Sequence, residues 1–282
     1  MELLQNILMG IVQGFSEFLP ISSSGHLVFT SAIYNLITGN EAEIATGEEI
    51  FVSMMLHVGT LISVLVFFKK EICTILQAMI RACKERTLKN NIDAKIGLYI
   101  IIATFFTILV AYPLNDVSEA LMYSPNIVGI LLVITGVFML LGEKYKLVTK
   151  KDEPITLKQA IIIGLYQGLA GFPGLSRSGL TITTGLLLGL NRIRSTKFSF
   201  LLCFPIILGA SIIYPFMELD LSDIMHYNWI GIIVGTITSA IVGYFCIKYF
   251  LKFVAKFSLA FFAYYCIIIG TIAAIFFSVY KA

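Results

Sequence analysis

Long apolar runs constrain the fold of this chain more than any other feature. Six of them are roughly 17–23 residues long, the length that a helix needs to cross about 30 Å of hydrocarbon. They cover residues 50–68, 96–112, 126–142, 198–217, 229–250 and 258–280. Only 13% of the residues are charged, about half the share found in soluble domains. The chain is therefore predicted to be an all-α integral membrane protein with six transmembrane helices. Its net charge of only +3 and the lack of a basic stripe predict no nucleic-acid partner.

Two further apolar stretches, 3–38 and 157–190, are interrupted at their middle by Pro, Gly and Ser. Each half has about 12–16 residues, so as a helix it would be only about 18–24 Å long. Irregular backbone at membrane depth is tolerated only where it is buried in protein or lines a wet cavity. We therefore predict two re-entrant helical hairpins whose tips meet inside the bundle.

The charges between the spans indicate an orientation. Lys and Arg concentrate in four segments, read here as cytoplasmic loops: 69–95, 143–158, 192–197 and 248–256. The opposite segments are acidic: 41–49, 116–119 and 218–223. With this assignment the first hairpin starts and ends outside, the second starts and ends inside, and both termini are extracytoplasmic.

The two interrupted stretches are also similar to each other. GIVQGFSEFLPISSSGHL, from Gly10 to Leu27, aligns without gaps with GLYQGLAGFPGLSRSGLT, from Gly164 to Thr181. Three spans follow each hairpin, and an odd number inverts the second half relative to the first. The prediction is a single membrane domain, 1–282, with repeat halves 1–150 and 151–282. Inverted repeats with broken helices place a polar site near the midplane.

The repeat has a purely structural alternative. Gly10 with Gly14, and Gly164 with Gly168, are small-xxx-small pairs that allow close helix packing. That role does not explain the ionisable groups beside them.

The first hairpin carries the residues of a nucleophilic site. Gln13 and Glu17 share one helical face, and a carboxylate inside a membrane segment is a functional candidate. Pro20 then breaks the helix, and a serine run precedes a new helix near Gly25, whose free N–H groups form an anion site. Ser23 and His26 are three residues apart, so one turn could bring hydroxyl and imidazole together.

The second hairpin supplies a fixed cation. Pro173 and Gly174 break the helix, and the segment that begins at Ser176 restarts it, with Thr181 one turn on. Arg177 carries a planar fork that suits phosphate oxygens. The combined set fits phosphate ester or anhydride chemistry.

Several of these residues have simpler interpretations. Ser22 and Ser176 are better explained as helix caps than as ligands. Gln13 could only tie one hairpin to the other. His57 could line the site, although a hydrogen-bonded packing role is favoured, and His226 lies in an outer loop.

QGFSEFLPISSSGH and PGLSRSGLT resemble the two signatures of the undecaprenyl-pyrophosphate phosphatase family, also known for bacitracin resistance. The resemblance implies removal of the terminal phosphate from undecaprenyl pyrophosphate, which recycles the lipid carrier for cell-wall synthesis. It implies a plasma-membrane enzyme that is open to the outer face and uses a divalent cation, Mg²⁺ or Ca²⁺, held by Glu17. It also implies these site residues: Ser23, His26, Glu17 and Arg177 as catalytic groups, and Gln13, Ser22, Ser24, Gly25, Ser176, Ser178 and Thr181 as phosphate-binding groups.

Two functions fit these residues. In the phosphatase, Ser23 attacks and His26 takes the proton, or His26 or water attacks directly. The alternative is a polyprenyl-phosphate transporter or flippase, since inverted repeats with broken helices are common in carriers. A carrier needs binding groups but no nucleophile and base. The sequence leaves open whether the chain forms a homo-oligomer.

Overall fold

The computed structural model describes residues 3–38, 47–87, 91–147, 154–218 and 227–280, and its regular secondary structure within these ranges is helical. Residues 41–46 and 219–223 of the predicted acidic segments, and His226, lie outside these ranges. The α-helices, in chain order, are α1 (Leu3–Ser16), α2 (Ser23–Thr38), α3 (Gly47–Phe67), α4 (Lys69–Glu85), α5 (Ile92–Ala111), α6 (Asn115–Met122), α7 (Pro125–Tyr145), α8 (Leu157–Leu169), α9 (Arg177–Leu187), α10 (Arg192–Glu218), α11 (Trp229–Val254) and α12 (Ala260–Val279).

Six of the described helices are long and apolar enough to cross a membrane. They are α3, α5, α7, α10, α11 and α12, and their apolar windows have mean hydropathies of 1.4 to 2.3. Each coincides with one of the six apolar runs in the sequence. The prediction of an all-helical protein with six membrane-spanning helices is therefore confirmed.

The two interrupted stretches form two pairs of short helices. In the first, α1 ends at Ser16 and α2 begins at Ser23, slightly earlier than the predicted start near Gly25. In the second, α8 ends at Leu169 and α9 begins at Arg177. These helices have 11 to 16 residues, so each is about 17–24 Å long. We call residues 17–25 the first tip and residues 170–178 the second tip.

The short helices pack along long helices of the opposite half of the chain. Helix α1 lies along α11, and α8 lies along α5, while α7 packs against α12. Glycines allow the close approach: a Cβ atom on Gly10 would lie 2.5 Å from the carbonyl oxygen of Gly235, and one on Gly168 would lie 2.8 Å from that of Thr107. The predicted packing role of these glycines is confirmed, and the helices bring the two tips to the centre of the bundle.

Several predicted loop segments are instead helical. Residues 116–119 lie in α6, 192–197 begin α10, and 248–254 end α11, so these charges lie near helix ends and not in loops. The largest difference is in the first basic segment. Residues 69–95 were expected to be a basic loop, but Lys69–Glu85 form α4. The chain turns at Phe68, and α4 then packs against α5. In α4, basic side chains alternate with apolar ones at helical spacing, which makes the helix amphipathic. Its mean hydropathy is therefore too low for it to be detected as a membrane span.

Candidate active site

The two tips are buried and pack against each other. A Cβ atom on Gly25 would lie 3.2 Å from Gly174 Cα. Gly174 has a φ of 94°, a left-handed conformation that favours glycine. Across the same contact, the hydroxyl of Ser178 donates to the carbonyl oxygen of Leu19 at 2.8 Å. The tips meet inside the bundle, as the sequence predicts.

Ser22 and Ser176 cap the helices that leave the two tips. Ser22 Oγ accepts a hydrogen bond from Gly25 N at 3.2 Å, and Ser176 Oγ accepts one from Gly179 N at 3.1 Å. In both tips the capping hydroxyl also contacts the serine two residues later. The capping interpretation is therefore confirmed. Ser22 adopts a φ of 68°, an uncommon conformation for a residue other than glycine, at the point where the first tip turns.

Glu17 is the centre of the polar contacts between the tips. Its side chain is only 5% exposed. One carboxylate oxygen, Oε1, accepts a charge-assisted hydrogen bond from Arg177 Nη2 at 2.5 Å. The other, Oε2, accepts from Ser23 Oγ at 2.7 Å and from Gln13 Nε2 at 3.0 Å. A buried carboxylate is tolerated when it is paired and hydrogen-bonded in this way.

Arg177 joins the second tip to the first. Its Nη2 donates to the Glu17 carboxylate and also to the main-chain oxygen of Glu17, at 3.3 Å. Its Nη1 lies 3.5 Å from the carbonyl oxygen of Ser199. Thr181 supports the start of α9, because its hydroxyl donates to the Arg177 carbonyl oxygen at 2.7 Å and contacts Ser199 Oγ at 2.6 Å. Arg177 is thus held at a helix N-terminus beside a carboxylate.

The sequence suggested that the imidazole of His26 would meet the hydroxyl of Ser23, but the structure keeps them apart. Its Nδ1 lies 2.8 Å from the Ser22 carbonyl oxygen, and its Nε2 lies 2.7 Å from the hydroxyl of Tyr265, on whose ring it stacks. Both ring nitrogens therefore have partners other than Ser23. The reason is helical geometry: from the first turn of α2 the imidazole reaches back to the preceding carbonyl and out to α12, while Ser23 faces Glu17.

A cavity of about 210 Å³ opens beside these contacts. Among the predicted site residues, those that line it are Glu17, Ser22, Ser23, Ser24 and Arg177. Gln13, Gly25, His26, Ser176, Ser178 and Thr181 are near the cavity but do not line it. Four of them, Gln13, Gly25, His26 and Thr181, hydrogen-bond to residues that line it. Ser176 caps α9, and Ser178 joins the second tip to Leu19 of the first.

His57 lines the cavity, although the sequence favoured a packing role. Its Nδ1 lies 2.8 Å from the Ser53 carbonyl oxygen in the preceding helical turn, and its Nε2 lies 3.7 Å from Glu17 Oε2. An ionisable residue inside a predicted span was the signal that could have identified it.

Other lining residues were missed by the sequence analysis. Thr107, Gln167 and Cys203 line the cavity, and Tyr265 holds His26 outside it. In the sequence, Gln167 was marked only by its alignment with Gln13 in the repeat. Thr107, Cys203 and Tyr265 lie in ordinary apolar spans with no local pattern to distinguish them.

The donor set bears on the expected divalent cation. The described part of the chain contains no group of three or more His, Cys, Asp and Glu side chains that could hold a metal ion by itself. Glu17 is the carboxylate that lines the cavity, and its oxygens already accept bonds from Arg177, Ser23 and Gln13. Mg²⁺ is commonly held by one or two carboxylates together with substrate phosphates and water. The residues therefore fit a cation that is bound jointly with a diphosphate.

Comparisons with known proteins point to one family. The family model described as bacitracin resistance protein BacA matches residues 6–272. The undecaprenyl-diphosphatase of Methanosphaera stadtmanae is 37% identical over 98% of both chains. Undecaprenyl-diphosphatase 2 of Halalkalibacterium halodurans is 35% identical over 94% of this chain and 93% of its own. The undecaprenyl-diphosphatase of Rubrobacter xylanophilus is 36% identical over 94% of both.

Proposed function

The chain belongs to the bacitracin resistance protein BacA family, and we propose that its two tips form the site that hydrolyses undecaprenyl diphosphate to undecaprenyl phosphate and inorganic phosphate. This is a membrane-embedded hydrolase of the kind that confers bacitracin resistance and returns the lipid carrier to cell-wall synthesis. One observation carries the assignment to the tips: Ser23 and Arg177 bind the two oxygens of one buried carboxylate, Glu17, at the wall of a cavity.

Arg177 and two helix N-termini supply the binding of the terminal phosphate. The first turn of α2 borders the cavity through Ser22, Ser23 and Ser24, and α9 begins at Arg177 itself. Free N–H groups at helix starts favour anions. A guanidinium has five N–H donors, so Arg177 can bind phosphate oxygens while it still contacts Glu17.

Ser23 is the proposed nucleophile and Glu17 the group that moves its proton. The hydrogen bond between them, 2.7 Å, is the spacing expected for a hydroxyl and its base. As Ser23 Oγ bonds to the terminal phosphorus, its proton passes to Glu17 Oε2 and then to the departing lipid phosphate. The phosphoanhydride P–O bond breaks, and water later hydrolyses the phosphoserine.

A divalent cation, when bound with the diphosphate, would neutralise phosphate charge, and Glu17 is the residue that would help to hold it. His26 is proposed to fix the shape of the first tip, since it ties the Ser22 carbonyl to Tyr265. In these proposed roles, Glu17 and His26 organise the first tip around Ser23.

Phosphate release from undecaprenyl diphosphate by the purified protein in detergent tests the function. A membrane carrier that binds the same lipid would bind it without turnover. Release of inorganic phosphate that requires Ser23 and Arg177 is expected. Binding without release would instead favour a polyprenyl-phosphate transporter or flippase.

We further propose that the halves 1–150 and 151–282 are inverted repeats and that both hairpins are re-entrant. The packing of α1 along α11 and the packing of α8 along α5 are equivalent under this repeat. The caps formed by Ser22 and Ser176 also have matching hydrogen bonds. The basic segments then lie in the cytoplasm and both termini outside. Ala111, at the outer end of α5 in this orientation, lines the cavity, which supports a site that opens to the extracytoplasmic side.

Thiol labelling of intact cells tests this orientation. Cys83, which is exposed on α4, is expected to resist an impermeant thiol reagent, because α4 follows a basic cytoplasmic turn. Asp116→Cys, on the exposed face of α6 in a background without Cys73 and Cys83, is expected to react fully. Both positions should react after permeabilisation. Strong labelling of Cys83 from outside would overturn the orientation.

Glu17→Gln is expected to reduce turnover sharply and to flatten the dependence of the rate on divalent cation. The amide keeps the size of the side chain but loses the charge that Arg177, the Ser23 proton and a cation would share. Phosphate release measured across a cation titration checks both effects. An unchanged titration curve with a lower plateau would contradict the cation role and leave the proton-transfer role.

A further inference from the structure

Gln167 lines the cavity, and its amide oxygen is buried and accepts no hydrogen bond from the described residues. Gln167 is 3% exposed and lines the cavity from the second half of the chain, on α8. Buried amide oxygens are normally paired, so one at a catalytic cavity calls for a partner.

The orientation of the Gln167 amide follows from the bonds around it. The hydroxyl of Thr107 directs its proton to the carbonyl oxygens of Ala103 and Gly164, at 2.9 and 3.0 Å. Thr107 Oγ1 can therefore only accept from Gln167, which presents Nε2 at 3.2 Å. The acceptor Oε1 is left on the other side of the amide, fixed in place by the α5–α8 contact.

The repeat explains why there is space at Gln167. In the first half, Gln13 donates to Glu17, four residues later. In the second half, the residue four positions after Gln167 is Gly171, which has no side chain and lines the same cavity. The volume that a second carboxylate would fill is therefore open. The amide oxygen of Gln13 also has no partner among the described residues, but Gln13 does not line the cavity.

A phosphate cannot be the partner of this oxygen, because ionised phosphate oxygens only accept hydrogen bonds. The hydrolysis itself requires a donor that is small enough to enter the cavity, namely water. We propose that Gln167 Oε1 binds and orients the water molecule that attacks the phosphoserine. This inference rests on the proposed function and on Ser23 as nucleophile.

Hydrolysis of the phosphoserine replaces one bond to phosphorus with another. The water oxygen forms a bond to phosphorus, and the bond from phosphorus to Ser23 Oγ breaks with its electron pair on Oγ. One water proton passes through Glu17 Oε2 to Ser23 Oγ, which regenerates the hydroxyl, and the other stays on the released phosphate. Gln167 moves no proton in this step; it holds the water by accepting one of its hydrogens, as a positioning residue.

The test is rapid-quench hydrolysis of undecaprenyl diphosphate labelled in the terminal phosphate. Gln167→Met keeps the length of the side chain but removes the amide. We expect phosphate release to slow about 10²-fold, as for loss of one preorganised catalytic contact. Label on the protein should rise from a trace towards one per chain, since formation of the phosphoserine is unaffected. Removing Ser23 in the same variant should abolish the label.

Gln159→Met is the matched control, because Gln159 is a glutamine on the same helix whose amide donates to the Leu188 carbonyl oxygen, away from the cavity. It is expected to release phosphate normally and to accumulate no label. Normal phosphate release by Gln167→Met would overturn the water site. Slow release without label on the protein, while wild type turns over, would overturn it as well. Wild type that releases no phosphate would instead reject the proposed function.

Discussion

Ser23→Ala is expected to fold normally, to bind undecaprenyl diphosphate, and to release phosphate at least about 10³-fold more slowly than wild type. The substitution removes the proposed attacking oxygen and its 2.7 Å hydrogen bond to Glu17. The backbone of α2 is unaffected, because the helix is capped by Ser22 and not by Ser23. Phosphate release, lipid binding and thermal unfolding of the purified variant provide the measurements.

Ser22→Ala is the matched control for the neighbouring hydroxyl. Loss of a helix cap costs about 0.5–2 kcal/mol of stability, so this variant should melt at a lower temperature and keep much of its activity. Glu17→Gln combined with Ser23→Ala should be little worse than Ser23→Ala alone, because groups that act as a unit are not additive. Substantial turnover in Ser23→Ala, together with an inactive His26→Ala, would reject serine attack and make His26 or water the attacking group.

The sequence predicted those parts of the fold that local physics determines. Crossing a hydrocarbon layer requires a minimum apolar length, so the six long helices were readable as runs. Pro20 and Pro173 lie in the two helix breaks, and Ser22 and Ser176 cap the following helices through a bond within one turn. The amphipathic helix α4 was missed because its charged face lowers its mean hydropathy below that of a membrane span.

The contacts of the site were less predictable because they join distant positions. Glu17 meets Arg177 across 160 residues, and His26 meets Tyr265 across 239. Spacing alone suggested that His26 would contact Ser23, but the first turn of α2 directs the two side chains apart. The presence of Glu17, Ser23 and Arg177 in one site followed from the repeat, whereas their pairing required the packed helices.

Arg177→Lys is expected to lower phosphate release about 10²–10³-fold while the protein still folds. In the structure the guanidinium makes several contacts at once: two to Glu17, through the carboxylate and the main chain, and one towards Ser199. A lysine ammonium is a point charge without a planar fork, so it cannot hold the carboxylate and a phosphate in the same geometry. The loss should appear in kcat more than in lipid binding, because charge neutralisation in the ground state is retained.

Arg192→Lys provides the same chemical change at a second arginine–carboxylate pair, whose residues do not line the cavity. Arg192 binds Glu143 through Nε at 3.1 Å and Nη2 at 2.8 Å, and thereby ties the start of α10 to the end of α7. This variant should unfold at a lower temperature but keep its turnover, since neither residue lines the cavity. Near wild-type turnover in Arg177→Lys would show that the fork of Arg177 is not what binds the phosphate. If Arg192→Lys instead loses as much turnover as Arg177→Lys, a general loss of helix packing would account for both variants.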